Sequence, residues 1–462
     1  MDERLIAEIA AMADKKIEIF GLPGMVLGIV NADGLVWSKG FGRQNITRPE
    51  VPDKDSLGRI ASIAKTFTAT AILQLREEQK LSLEDPLTRH LPEFARVRLR
   101  AGALADVTLR RLLTHHSGLA TEAPLPGWDT LDFPTREAIL NALDQTEVVI
   151  EQDSTWKYSN LAYALLGEVI QRASRQDYEK YIQANILDPL ELKATCFDLD
   201  AETRPRLMTG YNPSLSQDYP LEAPYAHLKG LSAAGQLHSN VSDLARWVAF
   251  QFRASAGKRQ GQQILSGRSL SEMHRPQYLA QDWSSGQCLG WRATRRGDRV
   301  FHNHGGGIHG FATQVWFSVP HRIGVVQMIS MWPPPGGQEL VPEILEHLLE
   351  HPGQLERTSR KPPVPVPEAY RPLLGHYCAQ PGIWVSIEWR SGELQLRPFG
   401  GQTSSLHAPA VLKSAEEPDS FRVVGGRAAG ERVLFERREG RVIQYELGAF
   451  VFKKLIDAGE PL

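Results

Sequence analysis

The chain has 462 residues, 42% hydrophobic and 23% charged, with a formal net charge of −2. That length allows two or three domains with a sizeable core, and a near-neutral chain without a basic block points away from nucleic acid and acidic membrane surfaces. Cys196, Cys288 and Cys378 are too far apart, and odd in number, for a disulfide framework or a metal-site spacing; they are expected as reduced thiols of a cytoplasmic protein.

The N-terminus mixes both charge signs, and Leu5, Ile6, Ile9 and Ala10 are interrupted by Glu8 and followed by Asp14. This predicts an amphipathic helix rather than a secretory leader. No run of about 18 apolar residues exists, so no membrane span is expected. Gly24 to Val30 is apolar, Asn31-Ala32-Asp33-Gly34 is a turn signal, and an apolar stretch resumes at Leu35, which predicts a β-hairpin. A helix follows from Ser62 to about Lys80, with Ile63, Phe67, Ala71 and Leu75 at four-residue spacing. The small polar Thr66, Thr68 and Thr70 suit burial of that helix on several sides.

Further helices are predicted over residues 107–115 (closed by Gly118), 135–143, 161–173, 177–186 and 244–252, the last started by Asn240. The period then changes, predicting strands over 300–304, 311–319 and 323–330 and a helix over 339–349. The simplest packing is one antiparallel sheet flanked by the terminal helices, with a helical insert on one side. Residues 361–367 are Pro-rich, a stiff extended linker. The expected domains are therefore 1–352, a linker over 353–368, and 369–462. Strand-like runs at 384–389, 393–397, 421–424, 432–437, 442–447 and 450–453 predict a β-meander or barrel for the last.

The chemistry starts at Ser62-Ile63-Ala64-Lys65. A serine and a lysine three apart on a helix share one face, about 5–6 Å apart at Cβ, which sets a proton acceptor beside a hydroxyl that needs one to become a nucleophile. The same spacing recurs at Ser154…Lys157 and Ser255…Lys258, so the helical setting and two later motifs single out Ser62. The first of these is Tyr158-Ser159-Asn160. A phenol near an ammonium can ionise and relay a proton, and the asparagine offers both a donor and an acceptor. In isolation the same residues also read as a half-buried aromatic and a helix cap, with Lys157 solvated. The second is His304-Gly305-Gly306-Gly307, where glycines permit close backbone approach to a ligand and an amide can join that of Ser62 in an oxyanion hole. Rival readings are a flexible turn, a phosphate loop and a zinc site from His302, His304 and His309. No Gly-x-Ser-x-Gly elbow occurs, and His115-His116 reads as a structural helix end.

Together, Ser62-x-x-Lys65, Tyr158-x-Asn160 and His304-x-Gly306 resemble the three motifs of the serine β-lactamase and penicillin-binding protein superfamily, nearest the class C β-lactamase-like branch with its esterases and D-aminopeptidases. The flanks Leu112 to Leu119, Trp156 to Asn160 running on to Leu165-Leu166-Gly167, Gly230 to Trp247 and Gly305 to Phe311 resemble it too, over roughly residues 5–350. The resemblance implies an α/β (α+β) β-lactamase-like fold, with an antiparallel sheet, a helical subdomain and a C-terminal all-β module similar to lipocalin-like appendages. It implies a serine hydrolase, esterase or D-amino-acid-specific peptidase or amidase, acylated on Ser62. Lys65 and Tyr158 would share the acid–base work and Asn160 would position the substrate. His304 and Gly306 would line the third-motif site, and the Ser62 and Gly307 amides would hold the oxyanion. Histidine stands where true class C β-lactamases carry lysine, which ranks a β-lactamase or D-Ala-D-Ala carboxypeptidase below an esterase or D-peptidase. No cofactor or metal is expected, and the expected partner is a small ester, amide or short peptide, with a homo-oligomer compatible. From other classes, an inactive ligand-binding relative and a metal-dependent hydrolase remain as alternatives.

Overall fold

The computed structural model describes residues 3–214, 220–254, 257, 259–334, 339–349, 364–380, 383–390, 392–398, 410–426 and 428–457. The chain divides into two compact units, Met1–Asp85 with Tyr163–Gln354 and Pro86–Ala162 with Leu355–Leu462.

The first unit is built on an eight-stranded antiparallel sheet. Its order across the sheet is Gly34–Gly42, Gly24–Asn31, Ile323–Ile329, Phe311–Ser318, Arg299–Ile308, Arg292–Arg296, Ser285–Gln287 and Tyr278–Leu279. The predicted hairpin opens it, and its turn is held by the Asp33 amide donating to Asn31 Oδ1 at 2.8 Å. The last three strands escape sequence pattern because they are short, and two of them are polar. The glycine run was expected to leave its strand at His304; instead the strand continues through it. Gly306 lies opposite Thr313, and the chain turns only at His309-Gly310, where Gly310 has a φ of 76°. The ladder to Phe311–Ser318 outweighs the poor strand preference of glycine.

The terminal helices, Glu3–Phe20 and Leu340–Leu348, cover one face. Ile9, Ala13, Leu340, Ile344 and Leu345 join Met25, Leu27, Ile29, Val325 and Ile329 in one buried core. The helix Val241–Gln251 packs on the same central strands from the other face. A Cβ at Gly28, which alternates with Leu27 and Ile29, would lie 2.4 Å from Val241 Cγ1. Asn240 caps that helix as expected, its Oδ1 accepting from the Asp243 amide at 2.8 Å. The helix that follows Ser62, Ala64–Glu77, is buried from Ala64 to Leu75. Its threonines make that burial tolerable: Thr68 Oγ1 donates to the Ala233 carbonyl at 2.7 Å, and Thr66 Oγ1 accepts from Trp247 Nε1 at 3.1 Å.

In the second unit the predicted helices are shorter, Leu109–Leu113 and Arg136–Asn141, with Thr108 and Thr135 as side-chain caps. Its C-terminal part is a closed barrel of eight strands in chain order, from Gly375–Gln380 to Phe450–Asp457. Gly375–Gln380 and Ala410–Ser414 were not foreseen, being short and without a clear alternation. Tyr377, Phe421, Phe435, Tyr445 and Phe452 fill the interior with aliphatic neighbours, as a barrel of this strand number allows. Residues 353–363 of the expected linker lie outside the described residues. Among the described residues, no helix is long and apolar enough to cross a membrane.

Candidate active site

Ser62, Lys65, His304, Gly306 and Gly307 belong to the first unit, Tyr158 and Asn160 to the second. Ser62 stands in a 3₁₀ turn, Ala61–Ile63, directly ahead of the helix Ala64–Glu77. Ala61 has a φ of 44°, a left-handed conformation that L-residues adopt at a cost of about 1–3 kcal/mol. The turn is held from both sides. The Ile60 amide donates to the Leu237 carbonyl at 3.0 Å, and the Ile63 amide donates to the Ile60 carbonyl at 3.1 Å.

Lys65 is fully buried. Its Nζ lies 3.1 Å from Ser62 Oγ and donates to the Ala234 carbonyl at 2.7 Å. The Tyr163 ring lies 5.5 Å away, so the amine is fixed with one bond aimed at the hydroxyl. The glycine strand closes the other side. A Cβ on Gly306 would sit 2.0 Å from the Ile60 carbonyl oxygen, and one on Gly307 would sit 2.2 Å from the Trp332 ring. Both positions therefore need glycine for close approach rather than for a turn.

His304 is buried, and its Nδ1 lies 2.8 Å from the Gly305 carbonyl. A carbonyl only accepts, so Nδ1 carries the hydrogen. Burial first, then the Lys65 charge and that of Arg292, push the imidazole down to about 3 against the Gly305 bond that favours the cation. His304 is thus a neutral ring with its Nε2 lone pair available, where an ammonium was the alternative. His302 Nε2 instead faces the His274 carbonyl at 2.8 Å. Among the described residues no three or more His, Cys, Asp or Glu side chains are grouped to hold a metal, so the histidines weighed for zinc are not assembled as ligands.

In the second unit Tyr158 is buried under His115, with ring centroids 4.3 Å apart. His115 was read as a structural helix end. It bonds the Tyr158 segment on both sides: its carbonyl accepts from the Lys157 amide at 2.8 Å and its Nδ1 from the Ser159 amide at 3.2 Å. Ser159, rather than Asn160, caps the following helix Asn160–Ser174, through the Ala162 amide at 2.9 Å. Asn160 Nδ2 donates to Glu122 Oε1 at 2.6 Å. The expectation that Lys157 is solvated is overturned. Its side chain is 0% exposed and pairs with Glu431 at 2.7 Å, because a carboxylate from the barrel compensates its charge. The Ser154…Lys157 match is therefore not a catalytic pair: the Ser154 hydroxyl turns back to the Glu151 carbonyl at 2.6 Å. The Ser255…Lys258 match lies outside the described residues. The Ala234 carbonyl, His115 and Glu431 are the partners that motif spacing misses; the first two lie in the flanks Gly230 to Trp247 and Leu112 to Leu119, whereas Glu431 carries no local sequence signal.

Comparison with known proteins places this geometry in context. The chain is 27% identical over 408 residues to the human "Putative beta-lactamase-like 1", covering 84% of this chain and 77% of that protein. It is 26% identical over 327 residues to "Protein flp" of Staphylococcus aureus (strain MRSA252), covering 71% of this chain but only 62% of that protein. The octameric penicillin-binding protein homologue from Pyrococcus abyssi superposes with a TM-score of 0.64 at 22% identity, covering 98% of this chain and 100% of that one. A class C beta lactamase from Rhodobacter sphaeroides gives a TM-score of 0.61 at 20% identity, covering 74% and 99%. At these identities the solved structures establish the fold alone. The family model for Beta-lactamase matches residues 9–349, most of the chain, and the protein therefore belongs to the beta-lactamase family, with its serine β-lactamase and penicillin-binding protein-like fold.

Proposed function

We propose that the protein is a serine hydrolase that cleaves a small ester or amide through an acyl-enzyme on Ser62. The observation that carries this reading is the buried Lys65 Nζ held 3.1 Å from Ser62 Oγ, within reach for proton transfer. In the proposed first step Ser62 Oγ bonds to the substrate carbonyl carbon as its proton passes to the basic group. The Ser62 and Gly307 amides stabilise the oxyanion. The tetrahedral intermediate then collapses, the leaving group departs with a proton, and water hydrolyses the ester on Ser62 by the reverse path. Lys65 and Tyr158 share the proton traffic and Asn160 positions the substrate; the roles of the last two rest on the motif.

The neutral His304 favours an esterase or D-amino-acid-specific amidase over a β-lactamase. A β-lactam carboxylate gains most from a fixed cation, and His304 does not carry one at neutral pH. Domain limits at 1–352 and 369–462, a cytoplasmic setting suggested by three free thiols, and a homo-oligomer like the octameric relative belong to the same proposal. The test is hydrolysis of a chromogenic short-chain ester by wild type and Ser62→Ala; equal rates reject the assignment. Mass spectrometry after fluorophosphonate treatment separates it from an inactive binding relative, which leaves Ser62 unlabelled.

A further inference from the structure

The barrel does more than follow the hydrolase portion in sequence. Its turn at residues 428–431 reaches into the Pro86–Ala162 part of the same unit. A Cβ on Gly430 would lie 2.2 Å from Ile150 Cγ2, so the turn is seated closely, and Gly430 has a φ of 81° that favours glycine. The next residue, Glu431, is 11% exposed. Its Oε1 accepts from Lys157 Nζ at 2.7 Å, from Thr121 Oγ1 at 2.6 Å and from the Thr121 amide at 3.2 Å. Lys157 Nζ also donates to Thr121 Oγ1 at 3.2 Å.

These bonds converge on the two backbone segments that hold Tyr158. Lys157 precedes it in sequence. The Thr121 carbonyl accepts from the Asn160 amide at 2.8 Å and the Leu161 amide at 3.1 Å, and the Ala120 carbonyl accepts from Ser159 Oγ at 2.7 Å. One carboxylate from the barrel thus fastens the 120–121 segment to the 157–161 segment. Burial pushes its carboxyl up, but the Lys157 charge and hydrogen bond, with the side-chain and backbone hydrogen bonds from Thr121, outweigh this and hold it below the usual range. Glu431 lies outside residues 9–349, the part the family model accounts for.

We propose that Glu431 is a positioning residue for the Tyr158-Ser159-Asn160 motif, so that the C-terminal barrel is part of the catalytic apparatus. This rests on the serine hydrolase reading. A purely mechanical role for the barrel would require only apolar seating, such as the contact of Gly430 with Ile150. The structure instead joins a charged pair, two bonds to one threonine, and the backbone on either side of the motif tyrosine.

The experiment compares full-length wild type, Glu431→Gln, Glu431→Asp and the double variant Lys157→Met with Glu431→Gln, using the chromogenic ester and the rate of Ser62 phosphonylation. The expected result for Glu431→Gln is a fall in kcat on the order of 10²-fold with KM within about threefold, since a catalytic group displaced by about 1 Å loses that much. Glu431→Asp, which keeps the charge, recovers part of the loss. If Glu431→Gln fails to fold because it strands a buried ammonium, the double variant, which removes that charge, decides: folded with low kcat supports the proposal, folded with wild-type kcat overturns it. Wild-type kcat in folded Glu431→Gln overturns it as well. Absent labelling of wild-type Ser62 sinks the hydrolase reading itself, and the proposal falls with it; normal wild-type labelling with an inert Glu431→Gln substitution sinks the positioning role alone.

Discussion

Gly306→Ala is the sharpest test of how Ser62, the proposed nucleophile, is held. The added Cβ would lie 2.0 Å from the Ile60 carbonyl oxygen and 3.3 Å from Ala61 Cβ, and both neighbours belong to the turn that presents Ser62. Real contacts of this kind stay beyond about 3.0 Å, so strand and turn must separate by about 1 Å. Neither side yields easily, because Thr313 Oγ1, on the strand beside Gly306, donates to the Arg59 carbonyl at 3.1 Å, next to Ile60. A displacement of about 1 Å at a reacting atom costs about 10²-fold in rate, or about 2.7 kcal/mol of barrier. Overpacking removes about 1–3 kcal/mol of stability besides. The assay is kcat/KM on the chromogenic ester at a temperature where circular dichroism shows the variant folded, with Gly305→Ala as comparison, since a Cβ there meets nothing within 4 Å. Gly306→Ala within about threefold of wild type, or no worse than Gly305→Ala, would refute the close-approach argument.

Other outcomes follow from the same geometry. Lys65→Met removes the amine bonded to Ser62 and is expected to lower kcat/KM by about 10²–10⁴-fold; a loss under tenfold in stopped assays would contradict its role as base. His304→Lys restores a cation at the third-motif site and should raise cephalosporin turnover relative to the neutral ester by about tenfold or more, whereas an unchanged ratio in paired kinetic assays would detach His304 from substrate choice. Thr68→Val removes the donor to the buried Ala233 carbonyl and the hydrogen-bond partner of the buried Tyr178 hydroxyl and should lower the guanidinium midpoint by the equivalent of about 1–3 kcal/mol. Burial holds His116, His302 and His309 down to about 4, and His238 and His304 down to about 3. These groups stay neutral in the fold while the unfolded chain takes up protons below about pH 6.5. Stability should therefore fall as the pH drops from about 6.5 toward 4, each histidine contributing at most about 1.4 kcal/mol per unit; a flat unfolding midpoint from pH 7 to 5 would exclude this.

Local signals were legible in the sequence where local chemistry decides the outcome. The Asn31–Gly34 turn, the Asn240 cap and the face shared by Ser62 and Lys65 each depend on residues a few positions apart. The glycine strand was misread because its extended form is set by pairing with Phe311–Ser318, and three successive glycines carry no side-chain pattern to betray it. Lys157 was misread for a related reason. A lysine reads as solvated unless its counter-charge is visible, and Glu431 lies 274 residues away. The barrel was expected from six strand-like runs, yet its closure depends on Gly375–Gln380 pairing with Phe450–Asp457, a match of first strand to last.

That distance along the chain also orders events during synthesis. Lys157 emerges from the ribosome 274 residues before the only acid it pairs with at close range among the described residues. Until that last stretch is made, burying the ammonium carries an uncompensated electrostatic cost. A polypeptide cut short before Glu431 would leave the Lys157 ammonium without the carboxylate that compensates it in the folded chain.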